Sequence, residues 1–377
     1  MTEIEPDTKD WTWVLDAPCP ECGFAADDVA MDDVGATIRA NVELWQLVLA
    51  GPAPGRRPRP DVWSPTEYAC HVRDVHAIFG ERLRLMLSED DPTFANWDQD
   101  AAALASRYDL ADPVEVAAAL AEEALRVAAE YDAAPVAAHD RRGFRSNGSV
   151  FTVGSIARYH LHDVVHHAWD VRREVTVASY DRRAEQYRAA TPSSGLQVEA
   201  ALDDLARRLG PGSRVLEVGS GGGRDAVALE QRGLSVRRTD ITPAFVSQLR
   251  EQGHRADVID PLVDDLADPE RPGELYDGVW ANACLLHVAR ADLATVLTRL
   301  CAATRPGGWL RFSVKEGSGD GWSTHGSIES PRMFTYWQAA ELDALLPETG
   351  WQVEATAAAD GQRGERWLEY LVRREHE

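Results

Sequence analysis

The spacing of apolar residues changes character once along this chain. From about residue 28 to 176 they recur every three or four positions. In VGATIRANVELWQLVLA, Val34, Ile38, Val42, Trp45 and Val48 or Leu49 form one stripe, the mark of an amphipathic helix. A second helix is predicted from WSPTEYACHVRDVHAIF, where Ser64 is a good N-cap, Pro65 takes the first helical position and Glu67 completes a capping box. A third opens the same way at DPVEVAAALAEEALRVAAEY, with Asp112, Pro113 and Glu115, and a fourth contains RYHLHDVVHHAWDV. Segments such as GPAPGRRPRP and RRGFRSNGS read as polar connections. The expectation is an up-down four-helix bundle.

From about residue 212 short β-branched runs alternate with helices. SRVLEVG, LSVRRTD, RADVID, YDGVWAN and WLRFSVK read as strands, with GRDAVALEQRG, PAFVSQLREQG and ADLATVLTRLCAAT as helices between them. That alternation predicts a parallel sheet covered on both faces. EATAAAD and ERWLEYLVRRE add two strands at one edge, for seven in all, and ASYDRRAEQYRAATPSSG reads as a leading helix. The expected organisation is therefore multidomain, α then α/β: an extension over 1–27 carrying a C-x-x-C, a bundle over 28–176 and a Rossmann-like domain over 177–377.

Composition narrows the function. A chain of 377 residues exceeds one hydrophobic core, and no apolar run is long enough to span a membrane. A net charge of −23 repels phosphate backbones and anionic lipid, so neither nucleic acid nor membrane is an expected partner. The start MTEIEPDTKD lacks the basic-then-apolar order of a secretory signal, and five cysteines make no disulfide framework; a reduced, cytoplasmic protein is expected. No feature fixes an oligomeric state.

The chemistry concentrates at two places. VLEVGSGGGRDAVALEQRG is a strand, a glycine turn and a helix; such a turn lets backbone N–H groups approach a ligand closely. Gly219, Gly221 and Gly223 are spaced G-x-G-x-G, Arg224 stands where a dinucleotide fingerprint has its third glycine, and there is no P-loop lysine. Asp240 closes the second strand, Asp264 and Asp265 follow the third, and Ala281-Asn282-Ala283-Cys284 ends the fourth. All are expected at the carboxyl edge of one sheet, where such folds bind ligands.

EVGSGGG, TDITPAF, DDL, ANACLLHV and TRPGGWL, in that order, make residues 177–377 resemble a class I S-adenosylmethionine-dependent methyltransferase. The resemblance implies that Glu217, Gly219, Ser220, Gly221 and Gly223 hold the methionine end of S-adenosyl-L-methionine. It places Asp240 and Ile241 at the ribose, Asp265 and Leu266 at the adenine, and Asn282 on the pocket wall. His287 is expected near the transferred methyl, as a base or as a packing group; His325, Tyr336 and Trp337 are expected to wall the acceptor pocket. His287, His325 and Tyr336 are the catalytic candidates. ANAC is not the N/D-P-P-Y/F sequence of enzymes that methylate amino groups of bases and glutamine, so the expected acceptor is another small molecule.

The second place is RYHLHDVVHHAWDV, which holds four of eleven histidines within eight residues. His162 and His166 are one helical turn apart and share a face with Tyr159 and Trp169, so they are expected to point inward. His160 and His167 are expected to point elsewhere, either toward solvent or to stand behind the metal ligands. On the second helix His71 shares a stripe with Tyr68, Val75 and Ile78, and His76 lies off it. These two stretches are similar to the DinB-like bundle family, which implies a divalent metal, zinc or nickel foremost and iron as a further option, on His71, His162 and His166 with open positions for water or substrate. Three neutral imidazoles would leave the ion's charge uncompensated and favour an anionic ligand such as a thiolate. CPEC, Cys19 to Cys22, is half a zinc-binding pattern with no second pair nearby, and reads as two ordinary thiols. Cys70 and Cys301 read as core.

Three functions follow. The first is methyl transfer to a small-molecule acceptor, a thiol among the options, bound or activated by the bundle's metal. The alternatives are a metal-dependent transferase of low-molecular-weight thiols and a non-catalytic sensor that binds the cofactor. Sulfoxide synthesis, known for related bundles, is disfavoured. No room for its catalytic domain exists between Arg173 and Gln197, and Ala168 replaces an acid.

Overall fold

The computed structural model describes residue 4, residues 9–361 and residues 364–375. The chain divides into two compact units between Val175 and Thr176. In the first, four long helices follow the apolar stripes: α1 (Val34–Leu49), α2 (Pro65–Ser88), α4 (Pro113–Ala133) and α5 (Val153–Asp170), with a short α3 (Gln99–Ala105) between. The cap signals act as anticipated. Ser64 Oγ accepts from Glu67 N while Glu67 accepts from Ser64 N at 2.8 Å, and Asp112 accepts from Val114 N and Glu115 N. RRGFRSNGS is not merely a connection. It supplies β2 (Arg142–Arg145) and leads into β3 (Val150–Thr152), which with β1 (Thr93–Phe94) make a three-stranded sheet. The strand forms because Gly143 leaves no side chain against Met86 and Phe94, where a Cβ would lie 2.8 Å from each. Thr152 then caps α5 through Ser155 N at 3.0 Å.

The division falls inside α6 (Arg172–Arg182). α7 (Ala184–Ala190) and α8 (Leu196–Leu209) lead into a sheet of β4 (Arg214–Val218), β5 (Ser235–Asp240), β6 (Ala256–Val258), β7 (Tyr276–Ala281) and β8 (Thr304–Lys315). A hairpin of β9 (Asp320–Ser323) and β10 (Arg332–Thr335) follows, and β11 (Trp351–Asp360) and β12 (Arg366–Arg374) complete the sheet. The crossovers are α9 (Arg224–Gln231), α10 (Pro243–Glu251), α11 (Leu293–Ala303) and α12 (Ala339–Glu348). The strand order is β11-β12-β8-β7-β4-β5-β6, with β12 antiparallel to both neighbours and the rest of the sheet parallel. Every residue of β4 is buried, as a central strand covered on both faces requires. Among the described residues no helix is long and apolar enough to cross a membrane.

Candidate cofactor pocket and metal centre

At the carboxyl end of β4 the chain turns through Gly219 to Gly223 into α9. Gly219 has φ +71°, and a Cβ there would lie 2.4 Å from Cys284 Cβ; Gly223 has φ +81°, with Leu249 Cδ2 as close. Only glycine fits both the left-handed backbone and the approach. Ser220 stitches the turn to β5: its N–H donates to Thr239 O at 3.0 Å and its Oγ accepts from Thr239 N at 3.1 Å. Asp240 then clamps it, accepting from Gly221 N at 2.9 Å and Thr242 N at 2.8 Å. Burial pushes its carboxyl up from the ordinary value. Ile241 follows half-buried. Glu217 is buried at the end of β4 with Oε2 in no hydrogen bond, and burial pushes its pKa up to about 8.

Residues absent from the sequence reading complete this corner. A Cβ on Gly221 would lie 3.2 Å from the Tyr187 ring, and one on Gly222 3.2 Å from Arg188 Cγ, so α7 lies over the turn. Asp225, in the first turn of α9, accepts from Ser194 Oγ at 2.8 Å, Trp280 Nε1 at 3.1 Å and Asn282 Nδ2 at 2.9 Å. Asn282 also accepts from Ser313 Oγ at 2.8 Å, so its amide braces the sheet. Polar side chains in a glycine-turn helix carry no periodic signal, which is why Asp225 was not legible.

Asp265 and Leu266 lie away from the pocket. Asp265 is exposed and caps Ala267 N. Leu266 O accepts from Arg237 and from the Tyr276 hydroxyl, and Asp268 pairs with Arg214. Tyr276 and Arg214 open β7 and β4, so this segment has already run back toward the amino ends of the strands. The residues following β6 at the carboxyl edge are Ile259 to Leu262, with Ile259 N bonded to Asp240 O at 3.0 Å.

His287 is buried, its Nδ1 donating to Met333 O at 2.7 Å, which leaves Nε2 to accept from the Tyr180 hydroxyl at 3.0 Å. Burial pushes its pKa down to about 3. A neutral imidazole with both nitrogens engaged orients Tyr180 and is a poor base. Tyr336 is half-buried and His325 is exposed beyond β9, while Trp337 belongs to the core.

In the bundle the histidines sort differently from their helical stripes. His160 is buried, not solvent-facing, with Nε2 3.0 Å from His76 Nδ1 and Nδ1 3.3 Å from the Tyr131 hydroxyl. The reason is geometric: α5 is packed by both α1 and α2, so its buried arc is wider than one stripe. His71 does not gather with His162 and His166. Its ligand atoms converge with those of Asp163 and His167, all within 4.8 Å of one another. His71 Nε2 stands 3.4 Å from Asp163 Oδ1, and His167 Nε2 stands 3.6 Å from it. Neither nitrogen of the fully buried His71 ring is in a hydrogen bond, and Trp97 stacks on it at 5.3 Å. His167 Nδ1 is held by Asp170 at 2.8 Å, a carboxylate orienting an imidazole. Asp163, His167 and Asp170 line a cavity of about 230 Å³ that His162, His166 and Trp11 also border. His162 and His166 converge instead with Cys19 and Cys22.

Two family matches agree with this division. Residues 39–171 match the DinB superfamily and residues 184–356 match a methyltransferase domain family. The chain joins a DinB-superfamily domain to a methyltransferase domain. Among curated proteins it is 35% identical over 118 residues to a ubiquinone biosynthesis O-methyltransferase of Xanthomonas campestris, covering 30% of this chain and 48% of that one. It is 36% identical over 107 residues to the enzyme of that name from Bordetella bronchiseptica, covering 27% and 43%. The chain thus spans about half the length of these curated relatives or less. Among solved structures, the Burkholderia thailandensis 1,6-didemethyltoxoflavin-N1-methyltransferase, with bound S-adenosylhomocysteine, is similar at 23% identity and TM-score 0.42, covering 56% of this chain and 90% of that one. CcbJ methyltransferase of Streptomyces caelestis is similar at 17% and 0.43, covering 53% and 98%.

Proposed function

We propose that the chain transfers the methyl group of S-adenosylmethionine to a small-molecule acceptor, and that His71, Asp163 and His167 hold a divalent metal that binds the acceptor. The observation that carries the first part is Glu217, a buried carboxyl with an orphaned oxygen beneath a glycine turn. Such a group is costly unless a donor comes to it, and the cationic methionine end of the cofactor is a fitting donor. When bound, the cofactor supplies a methyl group already activated by its sulfonium.

The chain's own residues bind and orient. Asp240, which accepts two backbone N–H groups, keeps lone pairs for ribose hydroxyls. Tyr187 and Arg188 cover the turn against water. His287 fixes the Tyr180 hydroxyl. What remains for catalysis is to align the acceptor in line at about 3 Å.

For the metal, the fit rests on the buried His71 ring, whose Nδ1 is in no hydrogen bond and whose Nε2 faces the Asp163 carboxylate at 3.4 Å without a hydrogen bond. Two imidazoles and one carboxylate leave a divalent ion one net positive charge and open positions, which suits an anionic acceptor such as a thiolate. Zinc, nickel or iron suits this set. A reducing, cytoplasmic setting belongs to the proposal and is supported by five free cysteines.

The test is mass spectrometry of cell-extract metabolites incubated with protein and deuteromethyl-labelled cofactor. One metabolite should gain the label, Asp240→Ala should abolish it, and His71→Ala should reduce it while cofactor binding persists. Cofactor binding without any labelled product would leave the sensor alternative in its place.

A further inference from the structure

CPEC lies in a short turn that follows the helical turn Trp11–Leu15. Cys19 N donates to Phe24 O at 2.8 Å and Gly23 N to Cys19 O at 3.0 Å, and Gly23 closes the turn at φ +74°. These bonds fold Cys22 back beside Cys19. The thiols face α5, where His162 and His166 sit one turn apart, and the four ligand atoms lie within 4.8 Å of one another. Cys19, His162 and His166 are buried.

We propose that Cys19, Cys22, His162 and His166 form a closed, four-coordinate zinc site that pins the amino-terminal segment to the bundle. Tetrahedral bonds of about 2.3 Å to sulfur and 2.0–2.1 Å to nitrogen place S and N about 3.6 Å apart. Cys19 Sγ stands 3.7 Å from His166 Nδ1. His162 Nε2 is buried without a hydrogen-bond partner, an orphan that a metal would satisfy. His166 Nε2 faces the carboxylates of Glu21 at 3.7 Å and Asp170 at 3.9 Å, which would orient the ring as carboxylates do behind metal-bound imidazoles. Trp11 covers both rings, at 5.4 Å from His162 and 5.1 Å from His166.

Charge supports the assignment. Two thiolates neutralise a divalent ion, whereas the set of His71, His162 and His166 offers no anion, and the structure does not gather it. The C-x-x-C lacked a second pair only along the sequence; the H-x-x-x-H supplies it across 140 residues of chain. With four protein ligands this site has no position for substrate, so it is structural. Among the described residues, the open set of His71, Asp163 and His167 is left as the one able to take an acceptor.

The experiment uses the full chain purified under reducing conditions, loaded with Zn²⁺ or Co²⁺ alone. Cobalt-loaded wild type should show thiolate-to-metal charge transfer and intense tetrahedral d–d bands. Elemental analysis should find about one zinc lost in Cys19→Ser/Cys22→Ser, together with that absorption, while His71→Ala keeps the absorption. Chelation should lower Tm more in wild type than in the double variant, which keeps only the open set of His71, Asp163 and His167. Absence of the charge-transfer band in wild type overturns the proposal even if the variants do not fold. So does full retention of metal by the double variant. None of these readouts depends on methyl transfer, so the two readings fail separately.

Discussion

Glu217→Gln removes a charge without changing shape, and its consequence follows from one buried group. Burial raises the Glu217 carboxyl to about 8, so below that pH it is mostly neutral before a ligand binds. Pairing with the cofactor's cationic end requires the carboxylate. Ionising it at pH 6, about two units below its pKa, costs ~2.7 kcal/mol, at ~1.36 kcal/mol per unit. Wild-type affinity for S-adenosylhomocysteine should therefore strengthen as pH rises toward 8 and then level. The ligand's own ammonium titrates near ~8 as well, but that effect is common to both proteins and cancels in the ratio of their Kd values. The ratio of variant to wild-type Kd should rise by about tenfold per pH unit from 6 to about 7.5 and flatten above 8. At the plateau the missing charge-assisted hydrogen bond should weaken binding by ~1.5–3 kcal/mol. Isothermal calorimetry at each pH, in two buffers of different ionisation heat, measures Kd and the proton released. A ratio independent of pH, or no proton released by wild type near pH 7, would refute the reasoning.

Asp225→Ala strips partners from Ser194, Trp280 and Asn282 together, and should cost about 3 kcal/mol in urea unfolding. Gly219→Ala forces a side chain into a left-handed position and against Cys284; a loss of ~1–2 kcal/mol from the backbone alone, with cofactor affinity falling in parallel, is expected in thermal melts with and without ligand. His287 is neutral with its pKa down at about 3, so kcat at saturating cofactor should show no inflection near 6.5 that His287→Gln removes. In stability the sign is the reverse of an ion-paired histidine: the unfolded chain binds the proton first. Acidification from about 6.5 toward 3 should thus destabilise wild type by up to ~1.4 kcal/mol per pH unit more than His287→Gln, as chemical denaturation across that range would show.

Local signals carried much of the fold. The Ser64 and Asp112 caps form as their spacing implies, and the switch from a three-to-four period to β-branched runs separates bundle from sheet. The glycine turn and Asp240 were legible because a left-handed backbone and a strand-ending acid leave fixed residue types at fixed spacing. The placing of Asp265 and Leu266 was not, because the sequence does not say how far a loop travels after its strand ends. Asp225, Tyr187 and Arg188 had no pattern to betray them.

The histidine helix shows where that limit lies. Composition and periodicity determined that imidazoles would be buried in a bundle, and that His162 and His166 share a face. Which partners meet them was decided by tertiary structure. Helical period assigns a direction to each side chain but not the neighbour in that direction. Helix packing therefore sent His71 to Asp163 and His167, and the turn of the amino-terminal segment brought Cys19 and Cys22 to the other pair. A ligand set is a property of distances in space, and distances between residues 140 positions apart exist only once the chain has folded.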